Sequence, residues 1–250
     1  MESILAFERV CAGYGRVQIL KDLSFEVKNG EVFGIIGPNG SGKTTMLNAL
    51  TGMIPLSKGK ILFEGRGLGR LLPDQRCRLG LGRTFQIPRP FVRLSVYENV
   101  LAASVFGKGK SERDGKVPAL DILQVTGLFP LRNTLAGELT LLDRKRLEIA
   151  RAMATEPKLL LLDEVAAGLN SAEVEEVMDI VSYLRGLRVT IIWIEHNLEM
   201  MRRSTDRLLC MAEGRNAICG EPSFVMESEI VEELYLGRDE QGAGASDRRA

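Results

Sequence analysis

The chain has 250 residues, and its 33 basic and 33 acidic side chains give a formal net charge of zero. This length suits one large α/β domain or a core with an attached subdomain. The balanced charge gives no bulk electrostatic reason to bind nucleic acid or an anionic membrane. The basic run Arg144-Lys145-Arg146 is most simply interpreted as the solvated face of a helix.

The cysteine spacing and the apolar runs indicate where the protein works. The four cysteines, at positions 11, 77, 210 and 219, show no C-x-x-C spacing and are expected to be reduced thiols in a cytoplasmic protein. The acidic N-terminus lacks the basic-then-apolar pattern of a signal peptide. Apolar runs such as residues 189–194 are far shorter than a membrane span. We therefore expect any tie to a membrane to come through a partner.

Two strands are predicted at the start of the chain, over residues 4–10 and 18–27. The turn between them places Tyr14 between two glycines and exposes its ring. That ring either packs on its own hairpin or stacks on a nucleobase, and its position alone leaves both interpretations open. Asn29-Gly30 predicts a hairpin turn that leads into the next strand.

Residues 32–45 combine an apolar strand, a glycine-rich turn and a helix predicted to begin at Thr44. The turn fits the pattern G-x-x-x-x-G-K-[ST], in which glycines let backbone N–H groups point inward and the helix N-terminus adds positive charge. Lys43 would reach the β- and γ-phosphates of a nucleotide, and the Thr44 hydroxyl would bind Mg²⁺. The flanking strand and helix disfavour the alternative, a glycine hinge with an exposed lysine. The predicted phosphate-binding residues are Gly37, Asn39, Gly40, Ser41, Gly42, Lys43, Thr44 and Thr45.

The next strands are predicted over residues 60–64 and 81–85. Gln86 follows the second of these, and the prolines after it forbid extension of the strand. Gln86 is a candidate ligand for Mg²⁺ or for a water molecule, although by itself it is more simply an ordinary loop glutamine.

Helices are predicted over residues 95–106 and 118–126, with a flexible, glycine-bearing loop over residues 107–116. Residues 138–154 form an amphipathic pattern, and Thr140 suits the start of that helix.

Four consecutive leucines at residues 159–162 predict a strand that is buried on both faces, as in the centre of a parallel sheet. Asp163 and Glu164 follow at its carboxyl end, where open α/β sheets bind ligands. Asp163 fits the acidic Mg²⁺ partner of a phosphate loop, and Glu164 is then placed to polarise an attacking water. The alternative for Asp163 is a helix cap.

The last third of the chain predicts a helix over residues 171–185 and a strand over residues 189–194 that ends at His196. This histidine, the only one in the chain, should lie at the same sheet edge as Asp163 and the phosphate loop. A hairpin is predicted from residues 206–211 and 215–219, followed by a helix over 222–236. Residues 238–250 are polar and are expected to be disordered.

Together these motifs resemble the nucleotide-binding domain of ABC transporters, because residues 37–45, Gln86, residues 159–164 and His196 follow the order of that family. Tyr14 stands 29 residues before Lys43, where the family keeps its adenine-stacking aromatic residue. The similarity covers residues 4–236. Four segments are most similar to ATP-binding subunits of branched-chain amino acid importers: residues 83–86, 147–152, 166–170 and 235–237.

The resemblance implies an α/β fold: a P-loop NTPase (RecA-like) core with an antiparallel β subdomain and a helical subdomain over residues 88–155. It implies that residues 1–237 form the ABC ATPase domain and that ATP and Mg²⁺ are its cofactors. The implied catalytic residues are Glu164, His196, Gln86 and Lys43. The implied Mg²⁺ ligands are Thr44, Gln86 and Asp163.

The implied partners follow from the same resemblance. A second ATPase subunit pairs head to tail, and each ATP lies between one phosphate loop and the other subunit's signature sequence. The Gln86 segment contacts two transmembrane permeases at the inner face of the membrane, and a periplasmic or extracellular binding protein delivers the solute. Nucleic acid is not an expected partner.

The signature sequence departs from the family pattern. L-S-G-G-Q is replaced by Leu-Thr-Leu-Leu-Asp over residues 139–143, which keeps a hydroxyl at Thr140 but loses both glycines and adds the negative charge of Asp143. We therefore hypothesise that this subunit pairs with a different ATPase subunit that carries an ordinary signature. The alternatives are an ATP-binding module with weak hydrolysis and a non-transport ABC ATPase that acts on nucleic acid or ribosomes. A P-loop kinase would leave Gln86, His196 and Tyr14 unexplained.

Overall fold

The computed structural model describes residues 2–236, and the structural statements below refer to that part of the chain. Two β-sheets and a group of helices make up the fold. The larger sheet has the strand order β10-β9-β3-β8-β7-β6 and the smaller sheet the order β2-β1-β4-β5. The larger sheet consists of β3 Val32–Ile36, β6 Leu81–Arg83, β7 Leu159–Asp163, β8 Thr190–Ile194, β9 Arg207–Ala212 and β10 Arg215–Gly220.

The larger sheet is parallel except at its β10 edge. Every residue of β3, β7 and β8 is buried. Leu159 and Leu161 face one apolar cluster, whereas Leu160 and Leu162 face another. The sequence prediction of a central strand buried on both faces is therefore confirmed, and so is the hairpin of β9 and β10.

The smaller sheet is antiparallel and is built from β1 Ser3–Tyr14, β2 Val17–Lys28, β4 Leu56–Phe63 and β5 Arg66–Gly67. The predicted hairpin turn at Asn29-Gly30 is wrong, because β2 and β3 belong to different sheets. The turn itself forms, with φ of +76° at Gly30, but it carries the chain from one sheet to the other.

The helices are α1 Lys43–Thr51, α2 Pro73–Leu79, α3 Val96–Lys108, α4 Glu112–Val125, α5 Leu141–Ala154, α6 Ser171–Gly186, α7 Leu198–Ser204, α8 Pro222–Met226 and α9 Glu229–Leu236. Helix α1 packs between the two sheets, and α6 packs on the opposite face of the larger sheet. Helices α3, α4 and α5 share an apolar core of their own, which includes Val100, Leu123 and Leu147. None of the helices between residues 2 and 236 combines the length and apolarity that a bilayer-crossing segment needs.

The flexible loop predicted over residues 107–116 is wrong in its second half, because α4 begins at Glu112. The Ser111 hydroxyl caps this helix by accepting a hydrogen bond from the Asp114 N–H at 3.2 Å. Gly115 packs against α3, where a Cβ would lie 3.1 Å from Leu101 and Ser104. The lack of a side chain at Gly115 therefore permits close packing of α4 against α3, and this glycine does not mark a break in the helix. The tail expected to be disordered, residues 238–250, lies outside the described residues.

Candidate functional site

The loop between β3 and α1 takes a backbone path that requires glycine. The φ angle is +146° at Gly37, +79° at Gly40 and +103° at Gly42. A Cβ at Gly37 would lie 2.2 Å from the Met211 carbonyl oxygen, so no other residue fits there. The loop delivers the chain directly into the N-terminus of α1, where free N–H groups and the helix dipole favour an anion.

Two polar side chains of this loop suit a bound phosphate. The Lys43 ammonium is buried and donates hydrogen bonds to the carbonyl oxygens of Gly37 at 2.6 Å and Pro38 at 3.1 Å. The Ser41 hydroxyl oxygen is buried and has no hydrogen-bond partner among the described residues. Asn39, Gly40 and Thr44 are exposed to solvent, whereas Thr45 is buried. An orphaned hydroxyl beside a buried ammonium fits a phosphate oxygen.

Glu164 stands at the centre of three segments that the sheet brings together. Its Oε2 accepts a hydrogen bond from Gln86 Nε2 at 2.6 Å, and its Oε1 lies 2.9 Å from His196 Nε2. These residues follow the parallel neighbours β6, β7 and β8, whose carboxyl ends meet at one edge. Glu164 has φ of +50°, an uncommon backbone conformation for a residue with a side chain.

Asp163 lies one residue earlier and pairs with a basic side chain of β6. It is 3% exposed, and its Oδ2 lies 3.0 Å from Arg83 Nη2 on β6. Burial raises the pKa of Asp163, while the positive charge of Arg83 and its hydrogen bond act in the opposite direction. The salt bridge therefore favours the ionised carboxylate at a position that solvent does not reach.

Tyr14 lies at the end of β1, at the rim of the site. Its ring is 48% exposed, and its hydroxyl accepts a hydrogen bond from Asn48 Nδ2 at 2.7 Å. A cleft of about 320 Å³ joins this ring to the glycine loop, Gln86 and Glu164. An exposed ring at one end of such a cleft leaves a face available for stacking.

The comparisons with known proteins decide the family. The family described as "ABC transporter" matches residues 20–167, which is more than half of the chain. The chain belongs to the ABC transporter family. It is an ATPase of the kind coupled to transport, and subunits of this kind bind ATP, dimerise and work with transmembrane permeases.

Individual relatives of this ABC ATPase align with it over nearly its whole length. LivG, a high-affinity branched-chain amino acid transport ATP-binding protein of Salmonella typhimurium, is 35% identical over 251 aligned positions, covering 94% of this chain and 98% of LivG. LptB, a lipopolysaccharide export system ATP-binding protein of Haemophilus influenzae, is 32% identical over 235 residues, covering 94% and 98%. The crystal structure of an ATP-binding cassette of an ABC transporter in its ADP conformation matches with a TM-score of 0.86 and 31% identity, covering 95% of this chain and 100% of that one.

The structure does not bring Thr140 to the cleft beside the glycine loop of its own chain, since the residue is absent from the cleft lining. Thr140 caps α5, and its hydroxyl donates to Asp143 Oδ2 at 2.7 Å while accepting from the Asp143 N–H at 3.2 Å. Asp143 in turn lies 3.4 Å from Arg146 Nη1. The altered signature of this ABC ATPase is thus an internally paired helix start, with Leu141 exposed on its surface.

The oxygen donors near the loop fit Mg²⁺. Within residues 2–236 no cluster of three or more His, Cys, Asp or Glu side chains is arranged to hold a metal ion by itself. Mg²⁺ does not need such a cluster, since it binds through one or two carboxylates together with substrate phosphates. Thr44 and Gln86 line the cleft and offer oxygens of the required hard type, whereas the Asp163 carboxylate, of the same type, is buried beside Arg83 and is not among the residues that line the cleft.

Sequence reasoning missed the cations that support the site. Lys145, interpreted as part of a solvated helix face, is 3% exposed, and burial lowers its pKa. The signal was available, because Lys145 lies three residues after Leu142 and four before Ile149 and so shares their buried stripe. Arg83 and Asn48 carried no signal in the sequence, since their partners meet them only in the folded chain.

Proposed function

We propose that this chain is the ATP-binding and hydrolysing subunit of an importer for branched-chain or related amino acids. The observation that carries the enzymatic part is the Glu164 carboxylate, which contacts Gln86 at 2.6 Å and His196 at 2.9 Å beside the glycine loop. A carboxylate held from both sides at the phosphate end of the cleft suits a general base for water.

ATP binding begins with groups that the folded chain already presents. The adenine stacks on the exposed face of Tyr14, and the phosphates lie against the N–H groups of the loop. The Lys43 ammonium exchanges its contacts with Gly37 O and Pro38 O for the β- and γ-phosphate oxygens. The Ser41 hydroxyl gains the partner that it lacks within the chain.

Thr44, Gln86 and Asp163 would hold Mg²⁺, which neutralises developing charge on the phosphate oxygens when bound. Arg83, 3.0 Å from Asp163, favours the ionised carboxylate that this role needs, whereas burial acts in the opposite direction.

Hydrolysis then requires a water molecule aimed at the γ-phosphorus. Glu164 accepts a proton from this water as its oxygen attacks, and the bond from the γ-phosphorus to the bridging oxygen of ADP breaks. Gln86 and His196 fix the carboxylate during this step, because each contacts one of its two oxygens. Lys43 stabilises the negative charge of the transferring phosphoryl group.

Transport needs partners that this chain does not contain. The segment after β6 exposes the apolar side chains Phe85, Ile87, Phe91 and Val92, which suits docking against transmembrane permeases at the inner face of the membrane. The chain would therefore be a peripheral cytoplasmic subunit. Preferential binding of ATP to the closed dimer supplies the work that moves the permeases.

The amino-acid solute rests on similarity. LivG is 35% identical to this chain, and LptB is 32% identical. The segments around Gln86, α5, residues 166–170 and Tyr235 are those that resemble branched-chain amino acid importers, so we favour that solute and a dedicated extracellular binding protein. The altered signature favours a heterodimer with a paralogous ATPase subunit, in which Thr140 meets the partner's ATP.

The experiment replaces Glu164 in cells that lack the chromosomal gene. Glu164→Gln is expected to abolish uptake of radiolabelled leucine and valine, whereas Glu175→Gln, in an exposed ion pair 3.5 Å from Arg203, should retain it. Normal uptake in the Glu164→Gln cells contradicts the proposed function. Normal amino-acid uptake together with lipopolysaccharide that fails to reach the cell surface would instead support the function named for LptB.

A further inference from the structure

Lys145 is a buried lysine whose partners are two backbone carbonyl groups. Its side chain projects from the second turn of α5, and the residue is 3% exposed. The ammonium donates to Gln86 O at 3.0 Å and to Glu164 O at 2.9 Å. One cation therefore ties helix α5 to both of the segments that carry the predicted base and its amide partner.

The two segments lie just beyond the ends of their strands, since Gln86 follows β6 and Glu164 follows β7. Glu164 is also held by backbone hydrogen bonds, because its N–H donates to Ile194 O at 3.0 Å and its carbonyl accepts from the Ala167 N–H at 3.2 Å. Glu164 also has a φ of +50°, a conformation that surrounding contacts must maintain. A charge-assisted hydrogen bond is roughly twice as strong as a neutral one, so the ammonium is well suited to hold both carbonyl groups.

The side chains of the same two residues meet each other. Gln86 Nε2 donates to Glu164 Oε2 at 2.6 Å, so Lys145, Gln86 and Glu164 form a closed triangle of backbone and side-chain hydrogen bonds. If the ammonium were removed, Gln86 would lose its backbone link to Glu164, and the carboxylate would be held less firmly in its direction.

We propose that Lys145 is a positioning residue for ATP hydrolysis, which holds Glu164 in line with the attacking water by binding the backbone carbonyls of Gln86 and Glu164. The inference rests on the proposed function of Glu164. Lys145 touches neither the nucleotide nor the water, and it acts through the carboxylate.

The test uses the complex that a tag on this chain retrieves from detergent-solubilised membranes of its own cells. Lys145→Met should lower kcat for ATP hydrolysis by about ten- to hundredfold, since small misplacements of a catalytic group cost this much. KM and the number of ATP-binding sites should stay within about twofold of wild type, because Lys145 does not contact the nucleotide. Lys158→Met is the matched control, since Lys158 is exposed and its ion pair, with Glu64 at 2.7 Å, lies on the surface.

A double variant separates positioning from general destabilisation. In the double variant, Lys145→Met should lower kcat by less than about twofold beyond the loss of kcat caused by Glu164→Gln, because both changes disable the same group. The inference is overturned if the losses of kcat caused by the two substitutions multiply in the double variant. It is also overturned if Lys145→Met keeps kcat within about twofold of wild type while Glu164→Gln is inactive. Either result leaves the proposed function intact. Full activity of Glu164→Gln overturns the proposed function itself.

A second substitution at the same position tests the inference if Lys145→Met fails to fold. If Lys145→Met loses ATP-binding sites, kcat per site is measured in Lys145→Gln, which keeps a donor but is too short to reach both carbonyl groups. The inference is supported if kcat per site is reduced and this reduction does not multiply with the loss caused by Glu164→Gln. A kcat per site within about twofold of wild type overturns it.

Discussion

Tyr14 contributes both a ring face and a hydroxyl group, and substitutions can separate the two. The hydroxyl contacts Asn48 within the chain, so only the ring face remains for the base. Tyr14→Ala should weaken ATP binding by about 1–3 kcal/mol, as expected for loss of one stacked base, whereas Tyr14→Phe should change it little. Equilibrium binding of a fluorescent ATP analogue measures both variants.

Inorganic triphosphate serves as the control ligand for Tyr14, because it has no base. Its affinity should be the same in Tyr14→Ala and in wild type. If Tyr14→Ala weakens the binding of triphosphate as much as the binding of ATP, then Tyr14 supports the fold of its hairpin and does not stack on adenine.

Arg83 and Asp163 form a buried salt bridge whose loss should depend on pH. Arg83→Met leaves a buried carboxylate without its cation and should cost about 3–5 kcal/mol of the free energy of unfolding near neutral pH. Burial already raises the pKa of Asp163 above 3.8, and removing Arg83 raises it further. The pKa of the unfolded chain is common to both proteins, so the cost of Arg83→Met relative to wild type should be least where the folded carboxyl is protonated in both. It should grow as the pH rises through the pKa of Asp163 in the folded wild type, which lies above 3.8.

Urea unfolding of Arg83→Met at several pH values measures this effect, with Arg78→Met as the control. Arg78 forms an exposed pair with Asp74 at 3.6 Å, so its removal should cost less than about 1 kcal/mol at any pH. A cost for Arg83→Met that stays constant between acid and neutral pH would contradict the account of Asp163.

At the scale of single elements, the start of α5 differs most from the family pattern. Thr140 and Asp143 satisfy each other, and Leu141 is exposed where the family has a glycine. In the proposed heterodimer the signature meets the partner's ATP, so hydrolysis at that site should be slow. Replacing residues 141–143 with Gly-Gly-Gln in a Glu164→Gln background should therefore raise the residual turnover of the complex several-fold.

The comparison of the two catalytic glutamates tests the same asymmetry. Glu164→Gln in this subunit should remove most turnover of the complex, whereas the equivalent change in the partner subunit should remove little. Steady-state phosphate release measures both. Equal losses, or a Gly-Gly-Gln variant with unchanged turnover, would contradict a slow site at the altered signature.

The elements that the sequence predicted correctly are those in which local pattern and burial agree. The Leu159–Leu162 run, the amphipathic pattern of α5 and the glycine-lysine loop each dictate one local structure. The start of α4 was missed because its polar residues and Gly115 resemble a loop, and only packing against α3 explains the glycine. The turn at Asn29-Gly30 was predicted, but a turn does not determine which sheet receives the next strand.

The candidate site was predictable to the extent that its residues form motifs. Glu164, Gln86 and His196 follow three neighbouring strands, and a parallel sheet must bring those strand ends together. The burial of Lys145 could be predicted from its place on the apolar stripe of α5, but its partners, a pair of backbone carbonyls, could not. Arg83 was missed because its partner is a carboxylate 80 residues away in the chain, and such a contact leaves no local pattern.

On the scale of the whole molecule, the larger sheet explains why distant segments act together. Strands β3, β7 and β8 end at one edge, where the glycine loop, the acidic pair and His196 converge. The cluster of α3, α4 and α5 reaches the same edge through Lys145. A movement of α5 in the assembled transporter would therefore be transmitted directly to Gln86 and Glu164.

The central claim is that ATP lies in the loop between residues 37 and 44 while Glu164 activates the water that cleaves it. Single-turnover hydrolysis by the purified complex, with bound ATP measured in the same samples, tests this claim most directly. Glu164→Gln should retain ATP at wild-type occupancy and hydrolyse it about 10²–10⁴ times more slowly. A wild-type complex that fails to retain ATP, or a Glu164→Gln complex that hydrolyses it at the wild-type rate, would contradict the account.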